Sequence, residues 1–242
     1  MTGYNRLPLA GIHNARDLGG WSAGPGRVTR RGVFLRSARP KTLSEREAAF
    51  LRAYGLRTVL DLRNPEETAL RPSALAGLDG VQYEIVPVFD PAGGETFTPP
   101  PPGTGWGEMS ADMLAAHPDW VRAVFAHLAR AEGCTLFHCA TGKDRTGMIA
   151  ALLLRICGVS REDAAADYCV SQLYLAEEYA EQAAERGGRM PPFADTPGSN
   201  LLQLLDCIAA RWGSEEALLH ACGVRPEELS AIRAKFVEEA DQ

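Results

Sequence analysis

The sequence lacks the long apolar run and the leader that would take a chain into or across a membrane. Its longest apolar stretch, residues 148–156, is far shorter than the roughly 20 residues that a spanning helix needs. We interpret this stretch as a buried helix. No apolar segment follows a basic start at the N-terminus, so no secretory signal is predicted. We therefore expect a cytoplasmic protein without a transmembrane segment.

Metal-ligand spacing and a disulfide framework are also missing. The six cysteines include no C-x-x-C pair, and the five histidines show no ligand spacing. This pattern favours a reducing compartment and predicts no metal and no cofactor. The net charge of -6 argues against nucleic acid as a partner, because phosphate backbones attract basic surfaces.

Strand and helix patterns alternate along the first two thirds of the chain. A length of 242 residues with 45% apolar composition suits one domain spanning 1–242. Helices are predicted to open at two cap sequences, Ser44–Glu47 and Asn64–Glu67. Strands are predicted at 33–36, 58–62, 81–88 and 134–138, and further helices at 118–131 and 146–157. This order predicts an α/β fold with a mainly parallel central sheet flanked by helices.

Three regions depart from the alternation. Residues 1–31 look irregular and are rich in glycine and arginine. Residues 90–117 contain four consecutive prolines and five glycines, which predicts a mobile loop or lid. Residues 160–242 read as extra C-terminal helices only.

The segment from Cys139 to Arg145 carries the chemistry. An apolar strand precedes it, an apolar helix follows it, and Gly142 lets the backbone turn. The loop N–H groups and the positive end of the helix can converge on a phosphate dianion. Arg145 can add two parallel hydrogen bonds to the phosphate. The predicted phosphate-binding residues are Ala140, Thr141, Gly142, Lys143 and Asp144.

Cys139 is the predicted nucleophile. A free thiol has a pKa near 8.5, and helix N-termini with cationic neighbours lower it to roughly 3.5–7.5. A thiolate at this position would attack phosphorus, forming a phosphocysteine that water then hydrolyses. Thr146 is expected to cap the following helix and to assist the thiolate or the hydrolysis.

These residues carry a family resemblance. The segment His138-Cys139-Ala140-Thr141-Gly142-Lys143-Asp144-Arg145-Thr146-Gly147 resembles the signature loop of the protein tyrosine phosphatase superfamily. Its Gly-Lys-Asp-Arg-Thr-Gly form is similar to a bacterial subfamily of atypical tyrosine and lipid phosphatases. Residues 14–20, 34–37 and 61–67 resemble the same subfamily. The resemblance implies an α/β phosphatase fold, no metal, and activity on phosphotyrosine, in some members also on phosphoserine, phosphothreonine and phosphoinositides.

The general acid is the least determined residue. A carboxylic acid usually protonates the leaving oxygen. We favour Asp61, because it ends a strand on the expected ligand side and begins an Asp-Leu-Arg stretch of the subfamily; a salt-bridging or helix-capping role is the alternative. Asp144 is the second candidate, and it could instead pair with Arg63 and brace the loop. The remaining candidates are Asp90, Asp112 and Asp119.

Three basic residues are candidates for substrate contacts. Lys143 resembles the lysine of tensin-homologue lipid phosphatases, which implies contact with further phosphates of an inositol ring; a solvated lysine is the alternative. Arg36 and Arg63 either line the entrance or pair with nearby acids. The expected partner is a phosphorylated protein, a lipid headgroup or a small phosphorylated metabolite, and the oligomeric state stays open.

Four functions compete. The first is a phosphatase for phosphoproteins or phosphoinositides, and the second is a phosphatase for a small metabolite or an inositol polyphosphate. The third is sulfur transfer of the rhodanese type, against which the second loop glycine and the Arg-Thr-Gly ending argue. The fourth is an inactive phosphate-binding module, which the intact Cys139, Arg145 and Thr146 disfavour.

Overall fold

The computed structural model describes residues 5–88, 104–185, 187–190 and 194–240. The strands are β1 (Arg16–Asp17), β2 (Arg27–Thr29), β3 (Phe34–Ser37), β4 (Leu56–Asp61), β5 (Gln82–Ile85), β6 (Cys134–His138) and β7 (Val237–Glu239). The helices are α1 (Glu45–Ala53), α2 (Pro65–Leu70), α3 (Trp106–Ala116), α4 (Pro118–Arg130), α5 (Asp144–Ile156), α6 (Arg161–Cys169), α7 (Ser171–Tyr174), α8 (Ala176–Glu185), α9 (Gly198–Trp212), α10 (Glu215–Ala221) and α11 (Pro226–Phe236).

A five-stranded sheet forms the centre, in the order β1-β3-β6-β4-β5. Only β1 is antiparallel to its neighbour within this sheet. The prediction of a mainly parallel sheet flanked by helices is therefore confirmed. His138 pairs with Ser37 on one side and Asp61 on the other, so three strands end together. Ligands of such sheets bind beyond this carboxyl edge.

The sheet separates two apolar layers. Because successive side chains of a strand point to opposite faces, Leu35, Val59 and Leu136 pack on the side of α1. Phe34, Leu60 and Phe137 pack on the opposite side, with α4, α5 and α9. Burial of both faces explains why apolar residues follow one another directly in these strands, as in Phe34–Leu35 and Val59–Leu60.

The predicted helix starts are present. Ser44 and Glu47 form a reciprocal capping box at α1, and Asn64 and Glu67 form another at α2. Each box satisfies backbone N–H groups that a helix N-terminus leaves unpaired.

Two of the irregular regions contain strands that the sequence did not reveal. Residues 1–31 hold β1 and β2, and the segment after residue 160 ends in β7 rather than in helix only. β2 and β7 pair antiparallel, with Val28 opposite Glu238. Strands of three residues have no periodicity to detect, and each of these forms because a distant segment supplies its partner.

The predicted loop at 90–117 is wrong in its second half, which forms α3. Gly107 lies where a Cβ would come 2.5 Å from the Leu204 nitrogen, so this glycine serves close packing of α3 on α9 rather than a turn. Residues 89–103, with Asp90 and the four prolines, lie outside the described residues. Within the described ranges, no helix is long and apolar enough to cross a membrane.

Candidate active site

Cys139 follows β6 directly and is only 3% exposed. The loop after it runs against the end of β3, and α5 starts at Asp144. Gly142 has a φ of +67°, and a Cβ there would lie 2.0 Å from the Ser37 carbonyl oxygen. The loop therefore requires glycine at this position for both conformation and space. Helix α5 begins five residues after Cys139, and the N–H groups in the first turn of a helix have no partner within the helix.

Arg145 is bound by a residue that the sequence reasoning missed. Its Nη1 and Nη2 atoms lie 2.6 and 2.7 Å from the two carboxylate oxygens of Glu67. The capping box with Asn64 orients the Glu67 carboxylate at the start of α2. Burial opposes the charges of both partners, but their mutual hydrogen bonds raise the pKa of Arg145 and lower that of Glu67. The cap sequence could be recognised in the amino-acid sequence, but the contact between Glu67 and Arg145, which are 78 positions apart, could not.

Asp144 lies at the first position of α5, with 42% of its side chain exposed. The indole Nε1 of Trp106 donates a hydrogen bond of 2.7 Å to its Oδ1, and Lys143 Nζ lies 3.7 Å from the same oxygen. Burial raises the pKa of Asp144 above its ordinary value and outweighs these two neighbours, which lower it. A raised pKa and an accessible carboxyl are the properties that a general acid needs.

Asp61 lies in a different environment. It is fully buried and accepts hydrogen bonds from Arg63 Nη2 at 2.6 Å and from the Tyr83 hydroxyl. Burial alone would raise the pKa of Asp61, but Arg63, His138 and Tyr83 hold it below the usual range. A lowered pKa favours the ionised carboxylate, whereas a general acid must carry a proton. The salt-bridging alternative describes Asp61, and its buried ion pair with Arg63 favours Asp144 over Asp61 as the general acid.

Arg63 and Arg36 do not line the entrance. Both are about 1% exposed. Arg63 pairs with Asp61 rather than with Asp144. Arg36 pairs with Asp167 and donates to the Gly142 carbonyl at 2.8 Å. Burial lowers the pKa of Arg36 to about 10. The ion-pairing alternative therefore describes both residues, because buried partners occupy their guanidinium groups.

Lys143 and Thr146 also differ from expectation. Lys143 is 1% exposed, and its Nζ lies 3.3 Å from the Asp195 carbonyl oxygen, so it is not a solvated lysine. The N-cap of α5 is Lys143 rather than Thr146. The Thr146 hydroxyl is buried and has no hydrogen-bond partner among the described residues. Thr146 lies inside the first turn, where it cannot act as a cap.

The remaining acidic candidates lie on α3 and α4 or outside the described residues. Asp112 pairs with Arg211 at 2.6 Å on the surface, and Asp119 lies in the first turn of α4. His138 Nδ1 lies 3.0 Å from the Cys139 carbonyl oxygen, which agrees with a role in orienting the loop. No group of three metal-ligating side chains occurs in the part of the chain that the structure describes.

Cys139 and Arg145 lie at the two ends of one loop at the carboxyl edge of the sheet, between β6 and the first turn of α5. The sequence matches the tyrosine phosphatase family over residues 7–238. The chain belongs to this family and is a phosphatase.

Named relatives agree with this membership. A protein of Cupriavidus necator, named provisionally as a tyrosine-protein phosphatase, is 33% identical over 232 residues, covering 90% of this chain and 84% of that protein. The triple specificity protein phosphatase PtpB of Mycobacterium tuberculosis is 27% identical over 189 residues, covering 66% of this chain and 67% of PtpB. Among solved structures, P. aeruginosa TpbA is 18% identical with a TM-score of 0.42, covering 84% of this chain and 96% of TpbA.

Proposed function

We propose that the chain is a cysteine-dependent phosphomonoesterase with Cys139 as nucleophile, Arg145 as phosphate ligand and Asp144 as general acid. One observation carries the proposal. The loop from 139 to 145 holds the nucleophile at its first position, and the acid and the guanidinium occupy the first two positions of α5. All three groups therefore lie within one short segment, between the end of β6 and the first turn of α5.

The first chemical step transfers the phosphoryl group to sulfur. The loop N–H groups and Arg145 bind the phosphate oxygens. The Cys139 thiolate forms a bond to phosphorus while the bond from phosphorus to the ester oxygen breaks. Asp144 donates its proton to that leaving oxygen, so that an alcohol or phenol departs.

The second step returns the enzyme to its starting state. Asp144 is now ionised and accepts a proton from a water molecule that attacks the phosphocysteine. The bond between phosphorus and sulfur breaks, inorganic phosphate forms, and the Cys139 thiolate is released. Asp144 regains the protonated form that the next turnover requires.

The proposed substrates are phosphotyrosine proteins. Phosphoserine and phosphothreonine proteins and phosphoinositides are further proposed substrates. Family membership and the relative named for triple specificity support this range. The position of Lys143 bears on the inositol lipids. Its ammonium lies 3.7 Å from Asp144, so its charge acts within the phosphate site rather than on the outer surface.

The test is a turnover assay in chelator with phosphotyrosine peptide, phosphoserine peptide, phosphoinositides and small phosphorylated metabolites. We expect Cys139→Ser to abolish turnover, and Cys207→Ser, outside the loop on α9, to leave it unchanged. Asp144→Asn should slow a phosphotyrosine peptide far more than an aryl phosphate with an acidic leaving group. Turnover by Cys139→Ser near the wild-type rate would overturn the mechanism. Strong activity on one small metabolite alone would replace the proposed substrate class.

A further inference from the structure

The carbonyl groups of the phosphate loop all face protein donors. The Cys139 and Ala140 carbonyls lie 3.0 Å from His138 Nδ1 and 2.9 Å from the Arg39 N–H. Those of residues 141, 142 and 143 accept from two side chains outside the loop. Asn14 Nδ2 lies 3.0 Å from the carbonyl oxygen of 141 and 3.1 Å from that of 142. Arg36 Nη2 lies 2.8 Å from that of 142 and 3.3 Å from that of 143.

This arrangement decides the direction of the loop N–H groups. In a trans peptide the C=O and the following N–H point to opposite sides. When the carbonyls of 139–143 are held outward, the N–H groups of 140–144 face the other side, where the phosphate is proposed to bind. The groups that donate to the loop carbonyls therefore hold the N–H groups of 140–144 in the direction that phosphate binding requires.

The orientation of the Asn14 amide is itself determined. Arg16 Nη1 donates to the Asn14 Oδ1 and, at 3.1 Å, to its carbonyl oxygen. Since Arg16 has donors only, the oxygen of the amide must face Arg16 and its NH₂ must face the loop. Asn14 has a φ of +56°, a left-handed conformation that asparagine tolerates better than most residues.

Asp167 on α6 binds both arginines of this arrangement, Arg16 and Arg36. Its carboxylate pairs with Arg16 Nε at 2.8 Å and with Arg36. All four side chains are at most 3% exposed, so water does not compete with these bonds. Two buried guanidinium groups share one carboxylate, which leaves an excess of positive charge behind the loop.

We infer that Asn14, oriented by Arg16 and Asp167, is a positioning residue that sets the phosphate loop for oxyanion binding. The inference rests on the proposed function. It also gives a role to Asn14 and Arg16, the two residues of the 14–20 stretch that contact the loop or its donors.

The experiment measures tungstate affinity by calorimetry at about 10 °C, with folding checked by circular dichroism. Asn14→Gly removes the amide donors, and glycine adopts the positive φ without strain but adds backbone freedom. Asn14→Ala removes the same donors without added backbone freedom, but alanine is strained at this φ. Asn5→Ala is the matched control, because it removes a comparable bond, from Asn5 Nδ2 to the Gly19 carbonyl at 2.9 Å. Both Asn14 variants should bind tungstate about 5–30-fold more weakly, as expected for one or two lost hydrogen bonds. Asn5→Ala should bind within twofold of wild type.

A purely structural role for Asn14 would lower the thermal midpoint without changing the affinity of the folded protein. Tungstate binding within twofold of wild type by either folded Asn14 variant would overturn the inference. An equal loss in Asn5→Ala would overturn it as well. Failure of the wild-type protein to bind tungstate would instead remove the proposed function, and the inference with it.

Discussion

Gly142→Ala tests whether the loop must lie against β3 for catalysis. The added Cβ would lie 2.0 Å from the Ser37 carbonyl oxygen and 2.5 Å from the Ala38 nitrogen. These are backbone atoms, so no side-chain rotation relieves the overlap. Because ordinary contacts begin at 3.4 Å, the loop and the end of β3 must separate by about 1.4 Å.

A displacement of this size bears directly on rate. A misplacement of about 1 Å can cost roughly 100-fold in rate, so we expect kcat/KM to fall at least about 100-fold, or ~2.7 kcal/mol. Alanine in a left-handed conformation adds about 1–2 kcal/mol of strain to the folded state. The assay is kcat/KM on a phosphotyrosine peptide, with the free energy of unfolding from urea titration.

Gly213→Ala is the matched control. Gly213 has a φ of +87° after α9, and no atom lies within 4 Å of the point that a Cβ at this residue would occupy. The substitution should lower the free energy of unfolding by the same conformational strain, about 1–2 kcal/mol. It should leave kcat/KM within twofold of wild type. A folded Gly142→Ala protein with near wild-type kcat/KM would refute the reasoning, and so would an equal loss in Gly213→Ala.

Three further substitutions test individual contacts. Trp106→Phe removes a donor that stabilises ionised Asp144, so the pKa of Asp144 should rise and the basic limb of the kcat profile should move to higher pH; an unmoved limb would exclude this contact from catalysis. Asp61→Asn leaves a buried arginine unpaired and should cost about 3–5 kcal/mol in urea unfolding, without dependence of rate on the leaving group. The pKa of Asp61 is lowered in the fold, so its contribution to the free energy of unfolding is present above the unfolded pKa near 3.9 and is lost as pH falls through the lower folded pKa. The difference in the free energy of unfolding between wild type and Asp61→Asn should therefore shrink below about pH 4. Glu67→Gln keeps one acceptor oxygen of two, so Arg145 should bind phosphate less well and kcat/KM should fall about tenfold; an unchanged value would show that the pair does not position Arg145.

The fold could be predicted because its signals are local. The apolar run at 134–138 matches β6 in both bounds, and the cap sequences at Ser44 and Asn64 begin helices as predicted. The three central strands, β3, β4 and β6, each contain enough apolar residues to be recognised alone. β2 and β7 do not. Helix α3 was not predicted because Gly107 is typical of a loop, and only its packing against α9 explains a glycine at this position.

The amino-acid sequence alone was enough to predict the family, the mainly parallel sheet and the loop from Cys139 to Arg145, because the strand, turn and helix signals around this loop are contiguous in the chain. The roles of the individual acids and arginines depend instead on tertiary contacts. Asp61 and Asp144 are both aspartates at the end or start of an element, and the chain gives no sign that one is buried in an ion pair and the other remains accessible. The pKa of a carboxyl depends on its burial and on its neighbours. The neighbours that distant segments supply are His138 and Tyr83 for Asp61, in addition to the nearby Arg63, and Trp106 for Asp144.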